Sequence, residues 1–146
     1  MICEDLKGKK VLVTGSSSGI GAAAAILFSQ QACFVGVHYF KTKDGGEKTL
    51  TEVKKHSDGI LLQADIRDEK QVTDMVEQFA KAAGGIDILV NNAGSLIDRQ
   101  NFEDGTVDYH NDVYATVSSL NCFVWNVFEV LLDGWVIKLT PNEAFN

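Results

Sequence analysis

Lys9-Lys10-Val11-Leu12-Val13-Thr14-Gly15-Ser16-Ser17-Ser18-Gly19-Ile20-Gly21 is the stretch on which the fold turns. Val11-Leu12-Val13 is a short apolar run of the kind that forms a strand buried on both faces. Glycines at 15, 19 and 21 punctuate the turn that follows, and residues 22–31 are Ala-rich with strong helix propensity. In such a strand–turn–helix unit Gly15 permits the tight exit from the strand. Gly19 lets the backbone approach a phosphate, and Gly21 lets helix and strand pack closely. A turn of this kind presents backbone N–H groups, at the positive end of a helix dipole, to a pyrophosphate. Ser17 and Ser18 add hydroxyl donors. The spacing Gly-x-x-x-Gly-x-Gly differs from Gly-x-Gly-x-x-Gly but makes the same physical demands.

Working outward, the pattern alternates between strand and helix. Residues 33–39 read as a second strand, Gly45-Gly46 as a loop, and 47–56 as an amphipathic helix. Residues 60–64 form a third strand ending at Asp65. Asp68 is placed to cap a third helix, which carries Val72, Met75, Val76 and Phe79 on one face until Gly84-Gly85 stop it. Residues 86–90 are a fourth strand, running into Asn91-Asn92-Ala93-Gly94. Residues 98–105 are polar and read as loop, 108–132 as one long helix with a broad apolar surface, and 135–139 as a fifth strand. This alternation predicts a Rossmann-type α/β fold: a doubly wound parallel sheet of strand order 3-2-1-4-5, with right-handed crossovers. Its ligand crevice falls between the first and fourth strands, where the order reverses.

Bulk properties narrow the class. The 146 residues form a single domain with 45% hydrophobic and 23% charged residues, an ordinary globular balance. A net charge of −7 disfavours nucleic acid or an anionic membrane as partner. Cys3, Cys33 and Cys122 are scattered, and His38, His56 and His110 show no ligand spacing, so neither a disulfide framework nor a metal site is expected. No stretch resembles a signal peptide or a membrane span, and a cytoplasmic location is the default expectation.

Three features in order resemble the short-chain dehydrogenase/reductase family: Thr14-Gly15-x-x-x-Gly19-x-Gly21, Asp65-Ile66 after the third strand, and Asn91-Asn92-Ala93-Gly94 after the fourth. The resemblance runs from about residue 6 to 140 and implies binding of a nicotinamide dinucleotide. It places Ser17 and Ile20 along the pyrophosphate, Asp65 and Ile66 at the adenine, and Asn92, Ala93 and Gly94 at the ribose near the nicotinamide. The end of the second strand, at Tyr39, is expected to line the cofactor site near the adenosine ribose; it carries no acid until Asp44, whereas Lys41, Thr42 and Lys43 follow closely. A carboxylate there would hold ribose hydroxyls and repel a 2′-phosphate, while lysines receive it. NADP is therefore favoured over NAD, although Ser18 stands where many NADP-using relatives carry Arg.

The same resemblance implies no catalytic residue within these 146. The family's helix Asn falls on Thr116, its Ser falls near Thr140 and Pro141, and no Tyr-x-x-x-Lys follows. Tyr39 and Lys43 match that spacing literally, but at the second strand's end, on the adenosine side. The expectation is the cofactor-binding part of a carbonyl or alcohol oxidoreductase, incomplete relative to the family and without turnover alone. The alternative is a non-catalytic nucleotide-binding or dimerising subunit that pairs with a full-length relative through the 108–132 helix. An enzyme using an unusual acid, Thr140 or Asp133, is the weakest reading, since a Thr hydroxyl is a poor proton donor.

Overall fold

A computed structural model describes residues 3–94 of the chain. The expected 108–132 helix, the fifth strand at 135–139, Thr116, Asp133 and Thr140 lie outside the described residues. After a 3-10 turn, Glu4–Leu6, come β1 (Lys10–Val13), α1 (Gly19–Gln30), β2 (Phe34–Tyr39), α2 (Lys43–Val53), β3 (Gly59–Gln63), α3 (Glu69–Ala83) and β4 (Ile88–Val90). The strands form one parallel sheet in the order β3-β2-β1-β4. Both neighbours of β1 are in register with it, Leu12 lying opposite Gly36 on β2 and Leu89 on β4.

Period-two alternation along β1 sorts the core into two layers. Val11 and Val13 pack with Ala25, Val35, Val37 and Val53 beneath α1 and α2. Leu12 points the other way, onto Val72, Met75, Val76 and Phe79 of α3. Gly36 allows that second layer to close: a Cβ there would lie 2.6 Å from the Phe79 ring and 2.8 Å from Leu12. The helix ends follow local chemistry. Asp68 caps α3 by accepting the Gln71 N–H at 3.2 Å, and Gly84, at φ 79°, ends it in the left-handed region.

One element differs from the sequence reading. Gly45 and Gly46 lie inside α2, which starts at Lys43 rather than 47. A side chain at Gly45 would collide with the Ser17 carbonyl, and one at Gly46 would lie 2.8 Å from Leu61. Close packing of the helix onto the glycine-rich turn and the sheet outweighs the low helix propensity of glycine.

Candidate functional site

The site lies at the carboxyl ends of β1 and β4, where the strand order reverses. Thr14 joins the two ends. Its hydroxyl accepts the N–H groups of Asn92 at 3.0 Å and Ala93 at 3.1 Å, and donates to the Val90 carbonyl at 3.2 Å. The Asn92 amide nitrogen donates to the carbonyls of Thr14 at 3.0 Å and Gly15 at 3.2 Å. Gly15, at φ 65°, and Gly21 make room for this clamp. A Cβ on Gly15 would lie 2.7 Å from the Ala93 Cα, and one on Gly21 would strike the Asn92 amide and the Gly15 carbonyl. Gly19 differs, for its requirement is conformational: φ is 56° and nothing lies near a hypothetical Cβ.

Thr14, Gly15 and Ser16 spend their N–H groups on neighbouring strands, donating to the Val90 carbonyl, to His38 Nδ1 and to the His38 carbonyl. The donors that helix geometry leaves for an anion are therefore those of the first turn of α1. Ser18 is the N-cap of that helix, and its side chain makes no capping hydrogen bond. Ile20 stands 83% exposed at the same end.

A crevice of about 530 Å³ opens here. One wall is Gly15, Ser17 and Ser18, a second is Asp65, Ile66 and Arg67, and Ala93 and Gly94 close the β4 side. His38, Phe40, Lys41 and Thr42 form the wall beyond β2. A shallower depression of about 370 Å³, lined by Ile26, Lys48, Thr49, Thr51 and Glu52, lies away from the strand ends. Eight of the residues expected at the site thus meet in the crevice: Gly15, Ser17, Ser18, Lys41, Asp65, Ile66, Ala93 and Gly94. Gly19, Ile20, Gly21 and Asn92 stand beside it, in the first turn of α1 and in the clamp. Tyr39 faces the other layer. It is buried, its ring packs on Gly46, and its hydroxyl donates to Gln63 Oε1 at 3.3 Å.

The crevice also contains groups that sequence reasoning did not single out. Arg67 forks onto Asp65, Nη2 to Oδ2 at 2.7 Å and Nε to Oδ1 at 3.0 Å. That hydrogen bonding holds the Asp65 carboxyl below its ordinary value, against a smaller opposing effect of burial. Phe40 has Lys41 Nζ 5.2 Å and Arg67 Cζ 5.9 Å from its ring centre, so cations flank an aromatic face. His38 is buried; burial lowers its pKa, and the hydrogen bond to the Ala64 carbonyl opposes that shift. The Asp-x-Arg spacing was the available signal for Arg67. For His38 it was a polar residue in an otherwise apolar strand. Among the described residues no three of His, Cys, Asp and Glu gather as a metal would require, and no helix is long and apolar enough to cross a membrane.

Parallel sheet, switch point and glycine-rich turn define a doubly wound nucleotide-binding fold. The chain belongs to the short-chain dehydrogenase family, whose model matches residues 9–132. It is 37% identical over 141 residues to a versicolorin reductase of Emericella nidulans, a match covering 95% of this chain and 53% of that protein. It is 40% identical over 142 residues to a short-chain dehydrogenase/reductase of Pestalotiopsis microspora, with the same coverage. The chain spans about half the length of these curated relatives. Among solved structures it resembles a short-chain dehydrogenase of Burkholderia cenocepacia in complex with NADP, with TM-score 0.80 and 31% identity, over 87% of this chain and 52% of that one. It also resembles the NADH-dependent reductase A1-R' complexed with NAD, with TM-score 0.74 and 30% identity, over 88% of this chain and 53% of that one.

Proposed function

We propose that residues 1–146 constitute one nucleotide-binding domain of an oxidoreductase, holding NADP(H) in the crevice at the ends of β1 and β4. The observation that carries this reading is the crevice wall beyond β2. Lys41 and Thr42 stand there, on the next wall the Asp65 and Arg67 charges are paired with each other, and Asp44 sits in the first turn of α2. A 2′-phosphate gains charge-assisted hydrogen bonds on such a wall. Gly19 supports the fit of the dinucleotide: its φ is 56° and nothing lies within 4 Å of where its Cβ would stand, which leaves the backbone at the start of α1 open to a phosphate. The first turn of α1, with Gly19, Ile20 and Gly21, takes the pyrophosphate, assisted by Ser17 and Ser18. Asp65 and Ile66 meet the adenine, and Asn92, Ala93 and Gly94 meet the ribose nearer the nicotinamide. When bound, NADPH supplies a hydride for a carbonyl carbon, as in carbonyl and alcohol oxidoreduction.

In this reading the 146 residues alone bind the dinucleotide without turning it over. Support comes from the one literal Tyr-x-x-x-Lys, Tyr39 to Lys43, whose Tyr is buried against α2 and whose Lys pairs with Glu47 at 3.5 Å. The broad apolar pattern of residues 108–132 supports self-association or pairing with a longer relative, and a cytoplasmic location suits such a protein. Titrating the purified chain with NADPH and NADH, following nucleotide fluorescence and thermal stability together, tests the binding. Saturable stabilisation, larger for NADPH, is expected, with no oxidation of NADPH by added carbonyl compounds. Absence of binding by either nucleotide refutes the site, and turnover refutes the non-catalytic half of the reading.

A further inference from the structure

His38 makes more contacts with the glycine-rich turn than a core residue of β2 needs. Its Nδ1 accepts the Gly15 N–H at 2.8 Å, and its Nε2 lies 3.1 Å from the Ala64 carbonyl oxygen. A backbone N–H can only donate and a carbonyl can only accept, so the ring is fixed as the neutral tautomer with its proton on Nε2. Its main chain is tied to the same turn: His38 N–H donates to Ser16 Oγ at 2.8 Å and its carbonyl accepts Ser16 N–H at 2.9 Å. Ser16 Oγ in turn donates to the Val13 carbonyl at 2.8 Å. One imidazole therefore bridges the exit of β1 and the segment after β3 that carries Asp65 and Ile66.

Resting on the dinucleotide reading above, we propose that His38 is the positioning residue of this site: its neutral ring sets the pyrophosphate turn at a fixed distance from the adenine wall. Gly15 has no side chain with which to hold itself there, and its φ of 65° leaves the turn dependent on outside contacts. Protonation of Nδ1 would set N–H against N–H and break the Gly15 contact, because both imidazolium nitrogens are donors. Dinucleotide affinity then requires neutral His38 and falls on acidification. The charged groups lining the same crevice are Asp65, Arg67 and Lys41. Asp65 and Arg67 pair with each other, while the buried face of α3 is Val72, Met75, Val76 and Phe79.

The test follows the full chain by NMR and by dinucleotide titration over a pH series within its folded range, alongside His38→Asn. Asparagine keeps an acceptor two bonds from Cβ, where Nδ1 stood, lacks the Nε2 donor that reaches Ala64, and does not titrate. The expected result has the Gly15 amide resonance moving with the His38 titration midpoint. Below that midpoint NADH affinity falls by about tenfold per pH unit, the limit for one linked proton. NADH is the primary probe because the 2′-phosphate of NADPH carries a titration of its own. His38→Asn is expected to bind NADH more weakly than the parent at neutral pH, since the bridge to Ala64 is lost, but to show a flat pH profile because no proton is linked to binding there. A Gly15 resonance blind to His38, or an asparagine variant that keeps the parental pH profile, overturns the proposal. Should the variant not fold, the Gly15 resonance of the parent decides alone. Should neither nucleotide bind at neutral pH, the dinucleotide reading fails, and the positioning role towards a dinucleotide falls with it even if the Gly15–His38 coupling is found.

Discussion

Thr14 concentrates much of the site in one hydroxyl. Replacing it with valine leaves the N–H groups of Asn92 and Ala93 without their acceptor. Each such loss costs about 1–3 kcal/mol, partly recovered where water enters. Thr14→Val is therefore expected to lower the unfolding free energy read by urea denaturation by about 2–6 kcal/mol before water recovers part of it, and Thr14→Ser to leave it nearly unchanged. Two other side chains give the stability a pH dependence in separate windows. The folded His38 has its pKa below the ordinary 6.5, so the unfolded chain takes up the proton first as pH falls. Its contribution is complete above about 6.5 and is lost as pH falls towards the lowered folded value, by at most about 1.4 kcal/mol per pH unit. Asp65, lowered from 3.8 chiefly by its hydrogen bond to Arg67, contributes above that value and loses its contribution as pH falls through the folded one. Urea midpoints measured against pH should show His38→Asn flattening the first window only, and Asp65→Asn only the second. A single shared window for both variants would contradict the assignment.

At the scale of elements, the two layers meet at one glycine. Gly36 sits on the α3 face of β2, where a methyl group would press on the Phe79 ring at 2.6 Å. Gly36→Ala is expected to cost about 1–3 kcal/mol by overpacking. Adding Phe79→Leu should recover part of that cost, although Phe79→Leu alone destabilises; a double-variant cycle by chemical denaturation reads the coupling. The strands, α3 and the clamp-bearing ends were legible because their periodicity, caps and glycines agree with the packing. The start of α2 was not. Gly45-Gly46 look like a loop until the Ser17 carbonyl and Leu61 are in place, and only then does the missing Cβ become the reason for a helix. The site was read off by the same limit. Tyr39 was expected at the crevice, yet alternation along β2 puts His38 with Gly36 on the α3 face and turns Tyr39 towards α2 with Val35 and Val37. The phase of a strand needs a neighbouring layer to fix it. Arg67 was signalled only by the Asp-x-Arg spacing, and its place beside Phe40 followed from its fork on Asp65.

For the whole molecule, the fold does not by itself choose the nucleotide. Structures similar to this chain at TM-scores of 0.80 and 0.74 were solved, respectively, in complex with NADP and, for an NADH-dependent reductase, with NAD. A sheet shared to that degree leaves the choice to side chains beyond β2, and here Lys41 is the cation closest to the strand end. Lys41→Glu places a carboxylate where a 2′-phosphate would sit, replacing attraction by repulsion, while two ribose hydroxyls gain an acceptor. A nucleotide present at a hundred times its Kd stabilises the folded chain by about 2.7 kcal/mol. At equal concentrations NADPH should therefore raise the melting temperature of the parent more than NADH, by several degrees for a domain of this size. In Lys41→Glu the order should reverse, with an affinity ratio changed by at least about tenfold, the equivalent of one charge-assisted hydrogen bond. Because Lys41 is exposed, the substitution leaves the core unchanged, and equal unliganded melting temperatures verify that. Parent and variant preferring the same nucleotide by the same factor would move the choice away from the β2 end, to Arg67 or to segments outside residues 3–94.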